Sequence, residues 1–214
     1  HDLQQSNKQL APANYELPTF NYIASHDLKA PLRNIGSYAS IIFMMIPEEN
    51  QTKLKHYFDI IQQSTAHLYR LLEDLASYSH LSKGESGKKG DVDLMDVVQS
   101  IEKEMSAVLK EKNGQIQYDH LPEIVSNSSL IFLALKNLTE NAIKFNESTS
   151  PTVQISYQSQ ASHHQILIQD NGMGIDPEYH QQVFKIFKRL HTLQEYEGSG
   201  IGLAIVKLVI EKLG

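Results

Sequence analysis

The chain has 214 residues, of which 41% are hydrophobic and 21% are charged. These proportions are normal for a folded globular protein and exclude wholesale disorder. The absence of cysteine excludes a disulfide framework, a thiolate zinc site and a cysteine nucleophile. The formal net charge is −6 and there is no long basic run, so we expect no nucleic-acid partner.

No apolar stretch reaches the roughly 20 residues that a membrane-spanning helix needs, so we expect no membrane segment in this sequence. The sequence begins with His1 and ends at Gly214 inside a helical pattern, and we expect it to be a fragment of a longer chain. We interpret residues 1–18 as a linker or the entry to a coiled coil. Leu3, Leu10 and Leu17 are seven residues apart, but two prolines oppose an unbroken helix there.

Residues 19–83 are predicted to form an antiparallel helical hairpin. From Leu54 to Ser79 the apolar positions alternate in steps of four and three, which is typical of a helix on a bundle seam. An earlier helical run includes Ile35 and ends before the short break at Ile46–Asn50. Because two helices cannot enclose a core, we expect two hairpins to dimerise into a four-helix bundle. The alternative is a hairpin that covers another domain of the same chain.

The glycine-rich segment Lys83–Gly90 is the predicted linker. Residues 91–214 are expected to form a second domain, so the predicted fold class is α+β, a helical hairpin followed by an α/β sandwich. Its predicted elements are a helix through Val97, Ile101 and Met105, a strand over Gln115–Tyr118, a helix over Leu130–Phe145, a half-buried strand through Val153, Ile155 and Tyr157, a more buried strand over Gln165–Gln169, and a final helix that begins near Ile201.

The predicted helix over Leu130–Phe145 carries a polar stripe. Asn137, Asn141 and Lys144 share one face by their spacing, although asparagine is a mediocre helix former. Amide oxygens suit Mg²⁺ and an ammonium group complements phosphate. The stripe therefore indicates either a magnesium and phosphate site or an ordinary solvated face.

Two glycine-rich segments follow. Asp170–Gly174 comes after an apolar strand, and its glycines would let a ligand approach the backbone while the carboxylate accepts from an exocyclic amine; an ordinary Asp-Asn-Gly turn is the alternative. Glu197–Ala204 opens the last helix, where free amides favour an anion. The alternative there is a plain glycine-rich helix start.

A histidine lies beside a predicted helix bend. Pro31 removes the amide that would bond the carbonyl of Asp27, so the helix should bend next to His26. The bend would help Asp27 reach one imidazole nitrogen and leave the other as a nucleophile. The alternative is a surface histidine with no function.

Together these segments resemble the sequence boxes of sensor histidine kinases of two-component systems. Ser25–Leu32 resembles the phosphoacceptor box, Asn137–Phe145 the asparagine box, Asp170–Gly174 the first glycine box, Val183–Phe187 the phenylalanine box and Gly198–Leu203 the second glycine box. The stretch from Phe187 to Gly198 is most similar to kinases behind bacteriophytochrome and PAS sensor modules. The resemblance extends from about Asn21 to the end, and implies a dimerisation and histidine-phosphotransfer domain over 19–83 and a Bergerat-type ATP-binding domain, C-terminally incomplete, over 91–214.

The resemblance also implies residue roles. His26 would take the γ-phosphoryl group of ATP, Asp27 would orient and deprotonate it, Asn141 would bind Mg²⁺, and Asp170 would accept from the adenine amino group. The other nucleotide-binding residues that it implies are Asn137, Lys144, Gly172, Gly174, Arg189, Gly198, Gly200, Gly202 and Leu203. The residues from about 188 to 197 would form a short lid.

The implied partners are a second copy of the chain, the receiver domain of a response regulator, and an upstream PAS- or GAF-like sensor domain. The implied location is the cytoplasm, as a soluble kinase or as part of a membrane-anchored sensor. Asn137 stands where related ATPases have a water-activating glutamate, which favours transfer over hydrolysis. Ala30 replaces a Thr or Asn of many relatives, which argues against phosphatase activity. An ATPase of the same nucleotide-binding class and a silent dimeric scaffold are the alternatives.

Overall fold

The computed structural model describes residues 28–82, 88–161, 163–192, 195–196 and 198–214. These residues form two compact units. The first contains the described residues up to 82 and those between 195 and 201, and the second contains residues 88–192 and 202–214. The segment 1–18, the histidine predicted as phosphoacceptor, His26, and its neighbour Asp27 lie outside the described residues. Within the described part of the chain, no helix is long and apolar enough to span a bilayer.

The first unit is the predicted helical hairpin. Helix α1 runs through residues 28–45, and helix α2 spans Glu48–Ser82. Lys29 pairs with Glu73 at 3.3 Å, and the Phe43 and Phe58 rings stack with their centroids 4.3 Å apart. The start of α1 therefore contacts the C-terminal half of α2, and the end of α1 contacts its N-terminal half. These contacts confirm the antiparallel arrangement.

The turn of the hairpin is shorter than the sequence predicted. The break covers Ile46 and Pro47 only, because α2 begins at Glu48 rather than after Asn50. The carbonyl of Pro47 accepts from the amide of Asn50 at 2.8 Å, and Gln51 Nε2 donates to the carbonyl of Ile46 at 2.9 Å. A proline just before a helix costs no intrahelical hydrogen bond, so the helix begins directly after it.

The second unit contains two small sheets and four helices. Its elements in chain order are β1 (Gly90–Asp93), α3 (Leu94–Glu104), α4 (Ser106–Lys112), β2 (Gln115–Tyr118), β3 (Glu123–Ser126), α5 (Ser128–Lys144), β4 (Thr152–Ser159), β5 (His164–Asp170), a 3₁₀ turn (Pro177–Tyr179) and α6 (Gly202–Leu213). Strands β1 and β3 pair antiparallel. The other sheet has the order β2-β4-β5, with β2 parallel to β4 and β4 antiparallel to β5. The mixed helix and sheet architecture confirms the predicted fold class.

The core of the second unit lies between its helices and sheets, where Val98, Ile101, Ile143 and Val153 are almost completely buried. Burial along α5 differs from the face that its apolar spacing predicts, which is Ile131, Leu135, Leu138, Ala142 and Phe145. Leu138 and Phe145 are only half-buried, whereas Ala134, Thr139 and Ile143 are buried although they lie outside that face. Helix α5 packs against both α3 and α6, so its buried surface is wider than one stripe.

Two further predictions were wrong. Strand β5 is not the more buried strand, since Ile166 and Ile168 are half-buried; among the described strands β5 pairs with β4 alone, which leaves it at an edge. The helix predicted through Met105 is divided, because α3 ends before Met105 and α4 begins after it. Met105 is nevertheless buried, at 5% exposure, so the apolar periodicity continues across the break.

The C-terminal end of α5 is capped by a lysine from another helix. Lys112, at the end of α4, donates from Nζ to the carbonyl of Ile143 at 3.0 Å and to that of Lys144 at 3.4 Å. The last carbonyls of a helix lack intrahelical partners and carry partial negative charge, so a cation there is favourable.

We expect Lys112→Met to destabilise the second unit by about 1 kcal/mol, because it removes a charged donor from two helix carbonyls. Thermal unfolding should show a midpoint lower by a few degrees. Lys112→Arg should retain most of the stability. Lys110→Met, which alters the other lysine in the last turn of α4, is the matched control; equal losses for Lys110→Met and Lys112→Met would contradict the capping role.

Candidate functional site

The polar stripe of α5 lies where the sequence predicted it. Asn127 caps the helix by accepting from the amide of Leu130 at 2.9 Å, and the helix continues to Lys144. Asn137, Asn141 and Lys144 are all half-buried on the helix. These three side chains are less exposed than those of a solvated helix face, so they could line a ligand site.

The N-terminus of α6 meets this stripe at Asn137. A β-carbon at Gly202 would lie 2.6 Å from Asn137 Oδ1, so a larger residue at 202 would require the Asn137 side chain to move. Asn137 Nδ2 donates to the carbonyl of Leu133 at 2.8 Å, so its amide is fixed on the helix. The close approach explains why residue 202 is glycine, and it places the first turn of α6, with Leu203, beside the asparagine stripe.

The first glycine segment meets the other end of the stripe. The amide of Met173 donates to the carbonyl of Phe145 at 3.2 Å, and a β-carbon at Gly172 would lie 2.6 Å from that same oxygen. Asp170 Oδ1 accepts from the amide of Gly172 at 2.8 Å. Gly174 has a φ of 72°, a conformation that favours glycine. The predicted turn is thus docked on the residue that follows Lys144.

We name the turn from Asp170 to Met173 the Asp170 corner. Asn137 and Phe145 are eight residues apart, which is about 12 Å along a helix. The Asp170 corner and the start of α6 therefore contact α5 within about two turns of each other. Asn137, Asn141 and Lys144 lie on α5. Gly202 of α6 approaches Asn137, and the Asp170 corner contacts Phe145 at the end of α5.

Two lysines lie on α5, and their surroundings differ. Lys136 pairs with Glu104, and this hydrogen bond raises the pKa of Lys136, so it is a cation already bound to a carboxylate. Lys144 Nζ lies over the ring of Phe145, 4.4 Å from its centroid, and that ring also stacks on His191 at 5.7 Å. Lys144 therefore lies beside Phe145, the residue whose carbonyl the Asp170 corner contacts.

Some predicted residues are not brought to this site by the structure. Gly198 and Gly200 belong to the first unit, so their placement beside α5 stays a prediction, although the φ of 73° at Gly200 fits a glycine loop. Arg189 is half-buried, and its placement beside the stripe also stays a prediction. His26 and Asp27 lie outside the described residues.

The sequence analysis missed residues that hold the site in place. Asn146 and Asn171 form a side-chain hydrogen bond of 2.7 Å, and Lys112 caps α5. Asn146 follows the asparagine box and Asn171 follows Asp170 directly, so proximity to the motifs was the available signal. A pair that is formed across 25 residues cannot be recognised from spacing alone.

The donor set fits magnesium better than zinc or calcium. No group of three or more His, Cys, Asp or Glu that could hold a metal occurs in the described part of the chain, and Asn141 offers a neutral amide oxygen. Mg²⁺ commonly keeps several waters and takes one or two protein ligands together with substrate phosphates. A single asparagine beside a lysine is compatible with that mode.

Two surface cavities lie elsewhere on the second unit. One, of about 540 Å³, is formed by α3, α4 and β2 around Ser106 and Gly114. The other, of about 610 Å³, is formed by β1, α3 and the start of α5 around Asp96 and Ser129. Neither contains a residue of the predicted nucleotide site.

Comparison with known proteins identifies the family that the second half of the chain resembles. Residues 126–214 match the family described as histidine kinase-, DNA gyrase B- and HSP90-like ATPases. The chain is 31% identical over 210 residues to the phytochrome-like protein Cph1 of Synechocystis, covering 98% of this chain and 28% of that protein. It is 26% identical over 219 residues to the methanogenesis regulatory histidine kinase FilI of Methanothrix harundinacea, covering 100% of this chain and 24% of that protein. The chain thus spans about a quarter of these relatives.

The fold is similar to that of full-length ShkA, which was crystallised with AMPPNP. The TM-score is 0.69 with 22% identity, over 91% of this chain and 41% of that one. At this identity the comparison shows the fold. Residues 126–214 therefore belong to the histidine kinase-, DNA gyrase B- and HSP90-like ATPases, and the chain as a whole is homologous to phytochrome-like proteins and sensor histidine kinases.

Proposed function

We propose that the chain is the core of an ATP-dependent protein-histidine kinase that phosphorylates itself on His26 and passes the phosphoryl group to an aspartate of a response regulator. The observation that carries the proposal is the contact of two glycine segments with one helix. The Asp170 corner lies against Phe145, and Gly202 lies against Asn137. We propose that Asp170, Asn141 and Lys144 line one surface, as the base-recognising carboxylate, the metal-binding amide and the phosphate-binding cation.

The adenine end of the site is the Asp170 corner. Asp170 is exposed, and its Oδ1 accepts from the amide of Gly172, so Oδ2 is the oxygen that we propose for the adenine amino group. A site that bonds an exocyclic amine discriminates against a base without that donor, because its own acceptor is then left unpaired. This geometry favours ATP over GTP.

The phosphate end is formed by the middle and end of α5. Asn141 would hold Mg²⁺ through its amide oxygen, and Lys144 would neutralise phosphate charge. Bound Mg²⁺ would supply charge neutralisation to the transferring group. The amides of the loop through Gly198 and Gly200, together with the first turn of α6, are the further donors that we propose, and Arg189 is a weaker candidate.

Phosphoryl transfer depends mostly on positioning and on electrostatic stabilisation. His26 would attack the γ-phosphorus through one imidazole nitrogen as the bond from that phosphorus to the β–γ bridging oxygen breaks and ADP leaves. Asp27 would accept a hydrogen bond from the N–H of the other ring nitrogen, which orients the ring and leaves the attacking nitrogen unprotonated. It would take up that N–H proton as the bond from nitrogen to phosphorus forms. Asn137 is an amide, which cannot act as the base that activates water, and this favours transfer over hydrolysis.

The hairpin supports the proposal that the kinase acts as a dimer. Leu28, Ile35 and Ile42 on α1, and Leu54, Ile61 and Leu68 on α2, are each seven residues apart and 40–61% exposed. We name these six residues the outer seam. Apolar heptad positions that remain exposed in a single hairpin are expected at an interface with another helix pair, and a second copy of the hairpin offers the complementary surface.

Signalling partners and location complete the proposal. The relatives that the chain matches are longer sensor proteins, so we propose an upstream PAS- or GAF-like sensor domain and a receiver domain as phosphoryl acceptor. We place the kinase in the cytoplasm, where ATP and response regulators occur.

With γ-labelled ATP and Mg²⁺, we expect an acid-labile, alkali-stable label on the wild-type chain and none on His26→Gln. Asn141→Asp and Asp170→Asn should abolish the label and leave the dimer intact, because each removes one ligand contact. Asp119→Asn is the matched control, since Asp119 follows β2 as an exposed aspartate outside the site.

The same experiment separates the alternatives. Phosphate released by the wild type without a labelled protein would support an ATPase. Neither label nor phosphate would support a silent scaffold. A label that persists in His26→Gln would contradict the assigned phosphoacceptor.

We expect Ile35→Asp and Ile61→Asp to convert the dimer to monomers, because each places a charge in the outer seam. Sedimentation equilibrium measures the change. Gln63→Asp, an exposed substitution on the other side of α2, should leave the dimer unchanged. Wild-type protein that sediments as a monomer would contradict the bundle.

A further inference from the structure

We propose that Asn171 is a positioning residue that holds the Asp170 carboxylate in the orientation needed for the adenine amino group. This inference rests on the proposed function. Nothing in the residue pattern singles out Asn171, because Asp-Asn-Gly is a common turn sequence. The side-chain contacts of Asn171 indicate a role beyond that of a turn residue.

The side-chain amide of Asn171 makes three hydrogen bonds. Oδ1 accepts from Asn146 Nδ2 at 2.7 Å and from the amide of Thr152 at 2.8 Å, and Nδ2 donates to the carbonyl of Ser150 at 3.2 Å. All three partners lie between the end of α5 and the start of β4. One side chain therefore ties the end of β5 to the whole connection that precedes β4.

The bond to Thr152 extends the sheet by one position. Strands β4 and β5 are antiparallel and their register ends at Val153 opposite Asp170, so Thr152 lies opposite Asn171. The Asn171 side chain takes the place of a main-chain carbonyl as the acceptor for the Thr152 amide. Because β5 pairs with β4 alone among the described strands, this bond restrains the chain just where Asp170 leaves the sheet.

The partner of Asn171 is itself fixed. Asn146 is 7% exposed, and its Oδ1 accepts from the amide of Ser148 at 3.0 Å. Loss of the Asn171 side chain would remove an acceptor from a buried amide and from the Thr152 amide at once. Buried donors without partners are unfavourable, so the connection would rearrange to restore hydrogen bonds.

The Asp170 corner then has two anchors, one on each side of Gly172. Asn171 bonds the start of β4, and the Met173 amide bonds the carbonyl of Phe145. With both in place, the Gly172 amide holds Asp170 Oδ1 and fixes the carboxylate. Without Asn171 only the Phe145 anchor remains, and the carboxylate gains freedom at the edge of the sheet.

The test uses the complete 214-residue chain and Asn171→Ala. We expect the KM for ATP in autophosphorylation to rise about tenfold with kcat unchanged, because the adenine contact is made equally in the ground state and the transition state. The preference for ATP over GTP should fall by a similar factor. Amide hydrogen exchange at Thr152 should accelerate.

A second variant tests the bond network without removing all of it. Asn146→Ser retains an oxygen that can accept from Ser148 and leaves Asn171 with Thr152 and Ser150, so its KM should rise less than that of Asn171→Ala. The double variant should match Asn171→Ala, because both changes remove the same bond. If Asn171→Ala does not fold, the KM of Asn146→Ser for ATP decides: a raised KM supports the proposal, and a KM equal to that of the wild type overturns it.

Val98→Ala is the control for lost stability, since Val98 is fully buried in α3 and outside the site. It should lower the unfolding temperature and leave the KM and the base preference unchanged. The proposal is overturned if Asn171→Ala behaves like Val98→Ala. Calorimetric binding of ADP to the wild type is measured first: no binding would overturn the proposed function together with this inference, whereas binding with an unaltered base preference in Asn171→Ala overturns the inference alone.

Discussion

The last turn of α5 ends in carbonyl groups that the helix itself cannot bond, and the arrangement of the site depends on which groups bond them. Lys112 bonds the carbonyls of Ile143 and Lys144, and the amide of Met173 bonds that of Phe145. Orphan carbonyls at a helix end are normally bonded by water or by the next turn. Here the completion of the helix also fixes the Asp170 corner beside Phe145, the residue after Lys144. One backbone requirement therefore determines where the proposed base end and the proposed phosphate end of the site meet.

The packing of α5 also explains why Asn137 occurs in the middle of a helix, although asparagine is a mediocre helix former. Asn137 bonds the carbonyl of Leu133 and lies so close to Gly202 that a larger residue at 202 would require the Asn137 side chain to move. Both features let α6 approach α5 closely. Asn137 therefore has a structural role that needs no ligand. The proposed metal ligand is the second asparagine, Asn141.

The elements that the sequence predicted were those with a long local pattern. Periodicity found α2, α5 and β4, and the short strand Gln115–Tyr118 coincides with β2. Strands β1 and β3 were missed because β1 contains a single apolar residue, Val92, and because each strand pairs with residues 30–36 positions away in the chain. The resemblance supplied residue types for the site, but it could not supply Asn171, whose three partners are determined by the packing of β5 against the connection before β4.

The alignment of α1 with α2 and the proposed pairing of two hairpins depend on different side chains. Gln62 Nε2 donates to the carbonyl of Gly36 and to Ser40 Oγ, both at 3.0 Å. A shift of α1 by one residue would break both bonds, so this polar contact determines the register, as a buried amide does in coiled coils. The outer seam is uniformly aliphatic and contains nothing of that kind. Its half-exposed side chains would each gain on the order of 1 kcal/mol on burial, and twelve of them in a dimer give on the order of 10 kcal/mol. That gain is of the size needed to offset the cost of association, about 4–15 kcal/mol. Pairing of two hairpins therefore depends on burial of the whole outer seam, whereas the polar contact at Gln62 keeps α1 aligned with α2 within each hairpin.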